Sequence, residues 1–268
     1  MNPQFGNDAA LIFDDFGPRD GEPVILIHGH PFNRSMWAPQ TAALTAAGYR
    51  VITPDLRGYG ESPVSRGKIL LAGFADDLAA LLAGLGIEQA VVGGVSMGGQ
   101  IALEVRLRHP GLVRALVLCD TSPVPETEDG RKFRLELAER LLAEGMEPYA
   151  NEVMDKMLAP YNVIGLPEAA ARVRAMMCAT DPEGAAAALR GRAERPDYRP
   201  VLRALPTTVP CLLLVGADDV YTPVSEAEGM RELAPHARLT VIDRAGHLPC
   251  VERPEAVNGA LLEFLATR

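Results

Sequence analysis

The run Gly94-Val95-Ser96-Met97-Gly98 follows the small and apolar stretch Ala90–Gly93 and precedes a segment with Ile101, Ala102, Val105 and Leu107 on one side. The chain therefore has to turn sharply from strand into helix at Ser96. Glycines on both sides let two backbones pass close together and leave the serine room for a strained backbone conformation that pushes its Oγ outward. An ordinary junction of small residues would read the same way, so the meaning of the serine depends on the rest of the chain.

The pattern around it is regular. Val24–Ile27 is an unbroken apolar run, the signature of a parallel strand covered on both faces, and it ends at His28-Gly29-His30-Pro31. A helix is expected over about 35–47, stopped by Gly48. Val51–Thr53 is a short strand leading into Pro54-Asp55-Leu56-Arg57-Gly58-Tyr59-Gly60-Glu61-Ser62. Leu71, Phe74, Ala75, Leu78, Leu81, Leu82 and Leu85 then fall at helical spacing, with Asp76 and Asp77 opposite. Ala115–Leu118 is a strand ending at Cys119-Asp120, and Ala9–Phe13, ended by Asp14-Asp15, is an outer strand. Strands alternating with helices predict an α/β fold with a mostly parallel sheet and helices on both faces.

From Pro123 to about Pro200 no strand-like run occurs. Helices are expected over 131–144, 148–158, 167–178 and 182–192, three of them opened by proline. This stretch holds Met146, Met154, Met157, Met176 and Met177. Met154, Met157 and Met177 are candidates for lining a pocket, with plain core packing as the alternative. The α/β rhythm resumes with a strand at Cys211–Val215, a helix at Val224–Leu233, a strand at Leu239–Ile242 and a closing helix at Pro254–Leu265. The chain thus divides into a core segment 1–124, a helical insert 125–200 and a second core segment 201–268, with one core for all 268 residues.

A net charge of −9 argues against nucleic acid or an anionic membrane as partner. Cys119, Cys178, Cys211 and Cys250 are far apart with no C-x-x-C pair, so they read as reduced core thiols rather than metal ligands. Met1–Ala10 lacks the features of a secretory leader, and no apolar run approaches the roughly 18 residues that span a bilayer. A cytoplasmic protein is expected.

In an open parallel sheet, functional groups gather beyond the carboxyl ends of the strands. The residues there are His28-Gly29-His30, Asp55, Ser96-Met97, Asp120, Asp218-Asp219 and His247. They supply a nucleophile, a base in a glycine-containing turn, and more than one possible acid, in the chain order Ser, Asp, His. His28 sits inside a tight turn, His109 precedes a proline at a helix end, and His236 lies in a turn; His247 is the preferred base for Ser96.

The chain resembles the α/β-hydrolase family through the motif 94–98, His28-Gly29-x-Pro31, Asp55-x-Arg57-Gly58-x-Gly60-x-Ser62, Gly216-x-x-Asp219 and Gly246-His247-Leu248. Leu118–Ser122 and the segment 246–255 look most like bacterial 3-oxoadipate enol-lactone hydrolases and small serine carboxylesterases. The resemblance implies a helical lid at 125–200, Asp219 as the acid rather than Asp218 or Asp120, and a His-Gly loop after the third strand. It also implies an oxyanion hole from the backbone N–H groups of Met97 and His30. Asp55 and Arg57 are expected to pin a loop by a charge-assisted hydrogen bond. His30 stands where many relatives carry an aromatic or aliphatic residue; facing the pocket, its imidazole would titrate near pH 6.5 unless burial or a neighbour moved it. Arg131, Arg134, Arg172, Arg174, Arg190 and Arg192 could bind a substrate carboxylate or simply be solvated. The implied activity is cleavage of a small ester or lactone through an acyl-enzyme on Ser96, without metal or organic cofactor. Relatives that open haloalkanes or epoxides use aspartate at the position of Ser96. Two other readings keep the fold: a cofactor-free lyase, C–C hydrolase or peroxidase-like enzyme, and a ligand receptor that turns nothing over.

Overall fold

A computed structural model describes residues 11–267. Among them the chain forms a seven-stranded sheet from β1 (Phe13–Phe16), β2 (Pro23–Ile27), β3 (Arg50–Pro54), β4 (Ala90–Val95), β5 (Val113–Cys119), β6 (Cys211–Gly216) and β7 (Arg238–Ile242), in the spatial order β1-β3-β2-β4-β5-β6-β7. β1 runs antiparallel to β3, with Phe13 opposite Pro54; the remaining neighbours are parallel. Parallel neighbours need long crossovers, here provided by helices. These are α1 (Ala38–Ala46), α2 (Leu71–Gly84) and α3 (Met97–Arg108). Between β5 and β6 come α4 (Glu128–Glu144), α5 (Met146–Met157), α6 (Pro160–Gly165), α7 (Pro167–Ala179), α8 (Pro182–Arg192) and α9 (Arg199–Arg203). α10 (Val224–Leu233), α11 (Pro249–Glu252) and α12 (Pro254–Thr267) follow.

Alternate residues of one strand point to opposite faces of a sheet. Val24 and Leu26 accordingly join one core with Leu44 of α1 and Leu261 and Phe264 of α12. Ile25 and Ile27 join another with Phe74 and Leu78 of α2, Ile101 of α3 and Met230 of α10. Both sets of side chains are buried, so the strands carry apolar residues without alternation. The helices of the insert share the first core, through Leu137, Val153, Val173 and Leu189.

Several expectations shift. The outer strand lies at Phe13–Phe16 and runs through Asp14 and Asp15, while Ala9 and Ala10 fall outside the described residues. The two acids do not end the strand because arginines of neighbouring elements take them up. Asp15 accepts from Arg50 Nε and Nη2 at 3.0 and 2.9 Å, and Asp14 from Arg34 Nε at 3.1 Å. The helix expected from about residue 35 begins as a 3₁₀ turn, Arg34–Trp37, capped by Asn33. α6 and α9 span six and five residues, too short to show a helical period. Leu107, at the end of α3, is exposed rather than part of its buried side. The His-Gly loop follows β2, the second described strand.

Candidate active site

Ser96 occupies the turn from β4 into α3 at φ 54° and ψ −115°, a left-handed backbone conformation unusual outside glycine. The turn is held from the next strand: Ser96 N–H donates to the Cys119 carbonyl at 2.9 Å, and Thr121 Oγ1 donates to the Ser96 carbonyl at 2.7 Å. A β-carbon at Gly94 would overlap the backbone of Gly98, and one at Gly98 would overlap the Ile27 carbonyl. The two glycines therefore let α3 start directly against β2 and β4. Met97 is the first residue of α3, so its N–H has no helical carbonyl to bind and lies at the positive end of the helix dipole.

Asp219 follows β6. Its Oδ1 accepts the Tyr221 and Thr222 N–H groups at 2.8 and 3.2 Å, and its Oδ2 accepts the Thr222 hydroxyl at 2.5 Å and faces His247 Nδ1 at 2.8 Å. Burial alone would raise this carboxyl, but His247, the Thr222 hydroxyl and the Tyr221 amide outweigh it and hold the group at about 2. An ionised carboxylate can only accept, so Nδ1 carries the proton and Nε2 is left as the basic nitrogen. The Tyr221 ring packs edge-on against His247, centroids 5.0 Å apart. Glu252 anchors the His247 turn: its Oε1 accepts Gly246 N–H at 2.7 Å, and its Oε2 accepts Ala159 N–H at 2.9 Å and Asn162 Nδ2 at 2.6 Å. Ser96, His247, His30 and Met157 line one cavity of about 470 Å³.

Asp120 ends β5 at φ 44°, fully buried. It accepts Gly216 N–H at 2.8 Å and the Cys119 thiol at 3.0 Å. Burial and the neighbouring Asp219 charge push its carboxyl well above the usual range. Asp120, Asp219 and His247 each bring a potential ligand atom within 4.8 Å of the others, the grouping that could hold a metal among the described residues. The carboxylate oxygens of Asp120 and Asp219 already accept protein donors, and His247 Nδ1 faces Asp219. Asp218 is exposed and accepts the Tyr161 hydroxyl.

His28 Nε2 accepts Leu56 N–H at 3.0 Å, so its protonated Nδ1 donates to the Gly29 carbonyl at 2.8 Å and organises the loop. His30 is buried, not solvated. Burial, then Arg192 and Arg134, lower its pKa well below 6.5 and keep the ring neutral. Its expected ionisation near pH 6.5 is thereby removed. Asp55 binds Arg34 and the Glu61 N–H rather than Arg57, which pairs with Asp77 of α2. Of the three methionines singled out, Met157 alone lines the cavity. Met177 is fully buried in the core and Met154 packs against it, because the side of α5 facing the cavity carries Tyr149, Glu152, Val153, Lys156 and Met157. Gln100, Glu126, Tyr149 and Arg195 also line the cavity, and no motif or strand-end position in the sequence marks them.

A family model for the alpha/beta hydrolase fold matches residues 22–254, and the chain belongs to that family. Among solved structures, a thermophilic esterase from Thermogutta terrifontis, determined with malate bound, superposes with a TM-score of 0.93 at 40% identity over 96% of this chain and 93% of that one. A protein of Mycobacterium tuberculosis provisionally named a non-heme bromoperoxidase is 34% identical, covering 96% of this chain and 98% of its own. A 3-oxoadipate enol-lactonase of Acinetobacter baylyi is 29% identical over 95% and 92%. No helix among the described residues is long and apolar enough to cross a membrane.

Proposed function

We propose that this chain is a serine hydrolase that cleaves a small carboxylic ester or lactone through an acyl-enzyme on Ser96. The observation that carries this reading is the 2.8 Å Asp219–His247 hydrogen bond at a cavity shared with the strained Ser96. His247 Nε2 takes the proton of the Ser96 hydroxyl as Oγ attacks the carbonyl carbon. The oxygen that becomes negative is met by the Met97 and His30 N–H groups. His247 then gives its proton to the departing alkoxide, or to the opened end of a lactone. Water, deprotonated by the same nitrogen, attacks the acyl-enzyme, and Ser96 leaves with the proton restored. Asp219 holds the ring and stabilises the imidazolium. Residues 125–200 act as the lid, with Met157 against the substrate.

Labelling with a fluorophosphonate tests this: the adduct is expected on Ser96, and Ser96→Ala should lose ester turnover by on the order of 10⁴-fold or more while keeping its melting temperature. Wild-type turnover in that variant would remove Ser96 from the mechanism. The Mycobacterium tuberculosis relative favours a second reading, a cofactor-free peroxidase-like enzyme; peroxide-dependent bromination without ester turnover would select it.

A further inference from the structure

The helical stretch of this chain is rich in arginine, and the structure sorts these residues. Arg131, Arg174 and Arg190 pair at the surface with Glu194, Glu147 and Glu139. Arg134 and Arg192 instead line the cavity that holds Ser96, together with Arg195. Glu126 serves two of the three: it is ion-paired with Arg134 and lies 3.8 Å from Arg195 Nη2. Its charge also reaches Arg192, the third, but no ion pair joins the two. Among the described residues Arg192 makes no ion pair, and its hydrogen bond runs from Nε to Gln100 Oε1 at 3.2 Å. It is 7% exposed, and burial, Arg134 and Arg195 hold its pKa well below that of an ordinary guanidinium.

A buried guanidinium with no carboxylate in contact is strongly disfavoured, and the charge of Glu126, shared with Arg134 and Arg195, compensates it only at a distance. The carbonyl end of α8, where Arg192 is the last residue, offsets only part of that. The other acids of the cavity wall are committed elsewhere. Glu226 accepts the Ser122 hydroxyl at 2.9 Å, Glu152 pairs with Arg140 at 2.6 Å, and Asp120 takes Gly216 N–H and the Cys119 thiol.

A second orphan lines the same cavity. His30 Nδ1 lies 2.7 Å from the Tyr59 hydroxyl, while its Nε2 is buried with no partner. Had Nδ1 carried the proton, both the Tyr59 hydrogen and the Nε2 lone pair would be buried without partners. With Tyr59 donating to Nδ1, the Nε2–H alone lacks one, which is the less costly arrangement. His30 thus holds a neutral ring with an N–H donor to spare.

We infer that Arg192, with the Nε2–H of His30, forms a receptor for a carboxylate carried by the substrate. The molecule cleaved is then an acid as well as an ester or lactone, which extends the acyl-enzyme reading and rests on it for the position of the scissile bond. Gln100, which orients Arg192, lies one helical turn beyond Ser96, a rise of about 6 Å. The carboxylate therefore lies only a few bonds from the carbonyl under attack, as in a half-ester of a short dicarboxylic acid or a lactone bearing a short acidic arm.

Monoethyl succinate and its neutral isostere ethyl 4-oxopentanoate test the receptor. In Arg192→Gln the ratio of kcat/KM for the anionic over the neutral ester should fall about 10- to 100-fold. Arg192→Lys should recover part of it, since lysine keeps the charge without the planar fork. A ratio unchanged within about twofold overturns the proposal. Calorimetry on Ser96→Ala needs no turnover, and the comparison also works without any change at Arg192 should that variant not fold. Succinate should bind at least about tenfold more tightly than succinamide, and equal binding overturns the receptor. Selective succinate binding by a protein whose Ser96 takes no label would sink the acyl-enzyme reading and leave the receptor standing. Ester turnover without preference for the anionic substrate would do the reverse.

Discussion

Replacing Asp219 by asparagine removes the proposed acid and should disturb activity and stability by amounts that follow from its contacts. The carboxyl is held at about 2 against an ordinary 3.8, which at about 1.4 kcal/mol per pH unit favours the folded, ionised form by about 2.5 kcal/mol. Because the folded value is depressed, this stabilisation is fully present above about pH 4 and is lost as pH falls toward 2. Asparagine cannot satisfy the site in either orientation. With its oxygen on the Tyr221 and Thr222 N–H groups, its NH₂ faces His247 Nδ1 and selects the tautomer whose Nε2 bears the proton and cannot accept from Ser96. Flipped, the NH₂ confronts two backbone donors. Asp219→Asn should therefore lose about 10⁴-fold in kcat, lose roughly 2.5 kcal/mol of unfolding free energy at pH 7, and show a flatter dependence of stability on pH between 4 and 2. Urea unfolding across that range and ester kinetics at pH 7 measure all three. Asp218→Asn and Asp120→Asn, assayed alongside, should lose far less activity. Were Asp120→Asn the variant that loses four orders of magnitude, the acid would be misassigned and the reasoning from Asp219 wrong.

Three more outcomes follow from neighbouring contacts. Asp120 has a raised carboxyl, so its contribution to stability is lost as pH rises through the folded-state value. Asp120→Asn should gain in melting temperature relative to the parent between pH 5 and 8, and a gain independent of pH would contradict the buried neutral acid. Met157→Ala should change substrate preference, whereas Met177→Ala should cost about 2–5 kcal/mol with preference unchanged; the opposite pattern would mean that the cavity wall is misread. Since His30 stays neutral, kcat/KM should show the same number of ionisations on its acidic side in the parent and in His30→Phe, and a limb that disappears with the imidazole would refute this.

Much of the candidate site was legible because of a property of parallel sheets. Each strand begins at one edge and ends at the other, so the residue after an apolar run is placed in space by its position in the chain alone. Ser96 after Val95, Asp120 after Cys119, Asp219 shortly after Gly216 and the turn before His247 could be gathered at one edge without knowing which strand neighbours which. Legibility failed where a side chain chooses among partners. Asp55 reached Arg34, twenty-one residues away, instead of Arg57 beside it, and Asp14 and Asp15 stayed in a strand because arginines came to them. Met177 and Met157 look alike by composition, and only the rotation of their helices separates core from cavity.

The arginines mark the limit most clearly. No strand-end rule applies to the stretch between β5 and β6, so sequence spacing left Arg134 and Arg192 level with Arg131, Arg172, Arg174 and Arg190, and did not single out Arg195. Arg192 meets Gln100 across 92 residues, and Glu126 meets Arg134 from the loop before α4. What distinguishes Arg192 is that no carboxylate touches it where burial demands one, and a missing contact is a property of the assembled cavity rather than of any local run of residues. Strand-end chemistry on this sheet can thus be read along the chain. On the proposed reading, the choice of which acid or ester enters is made by charges that α4, α8 and α3 bring together only on folding.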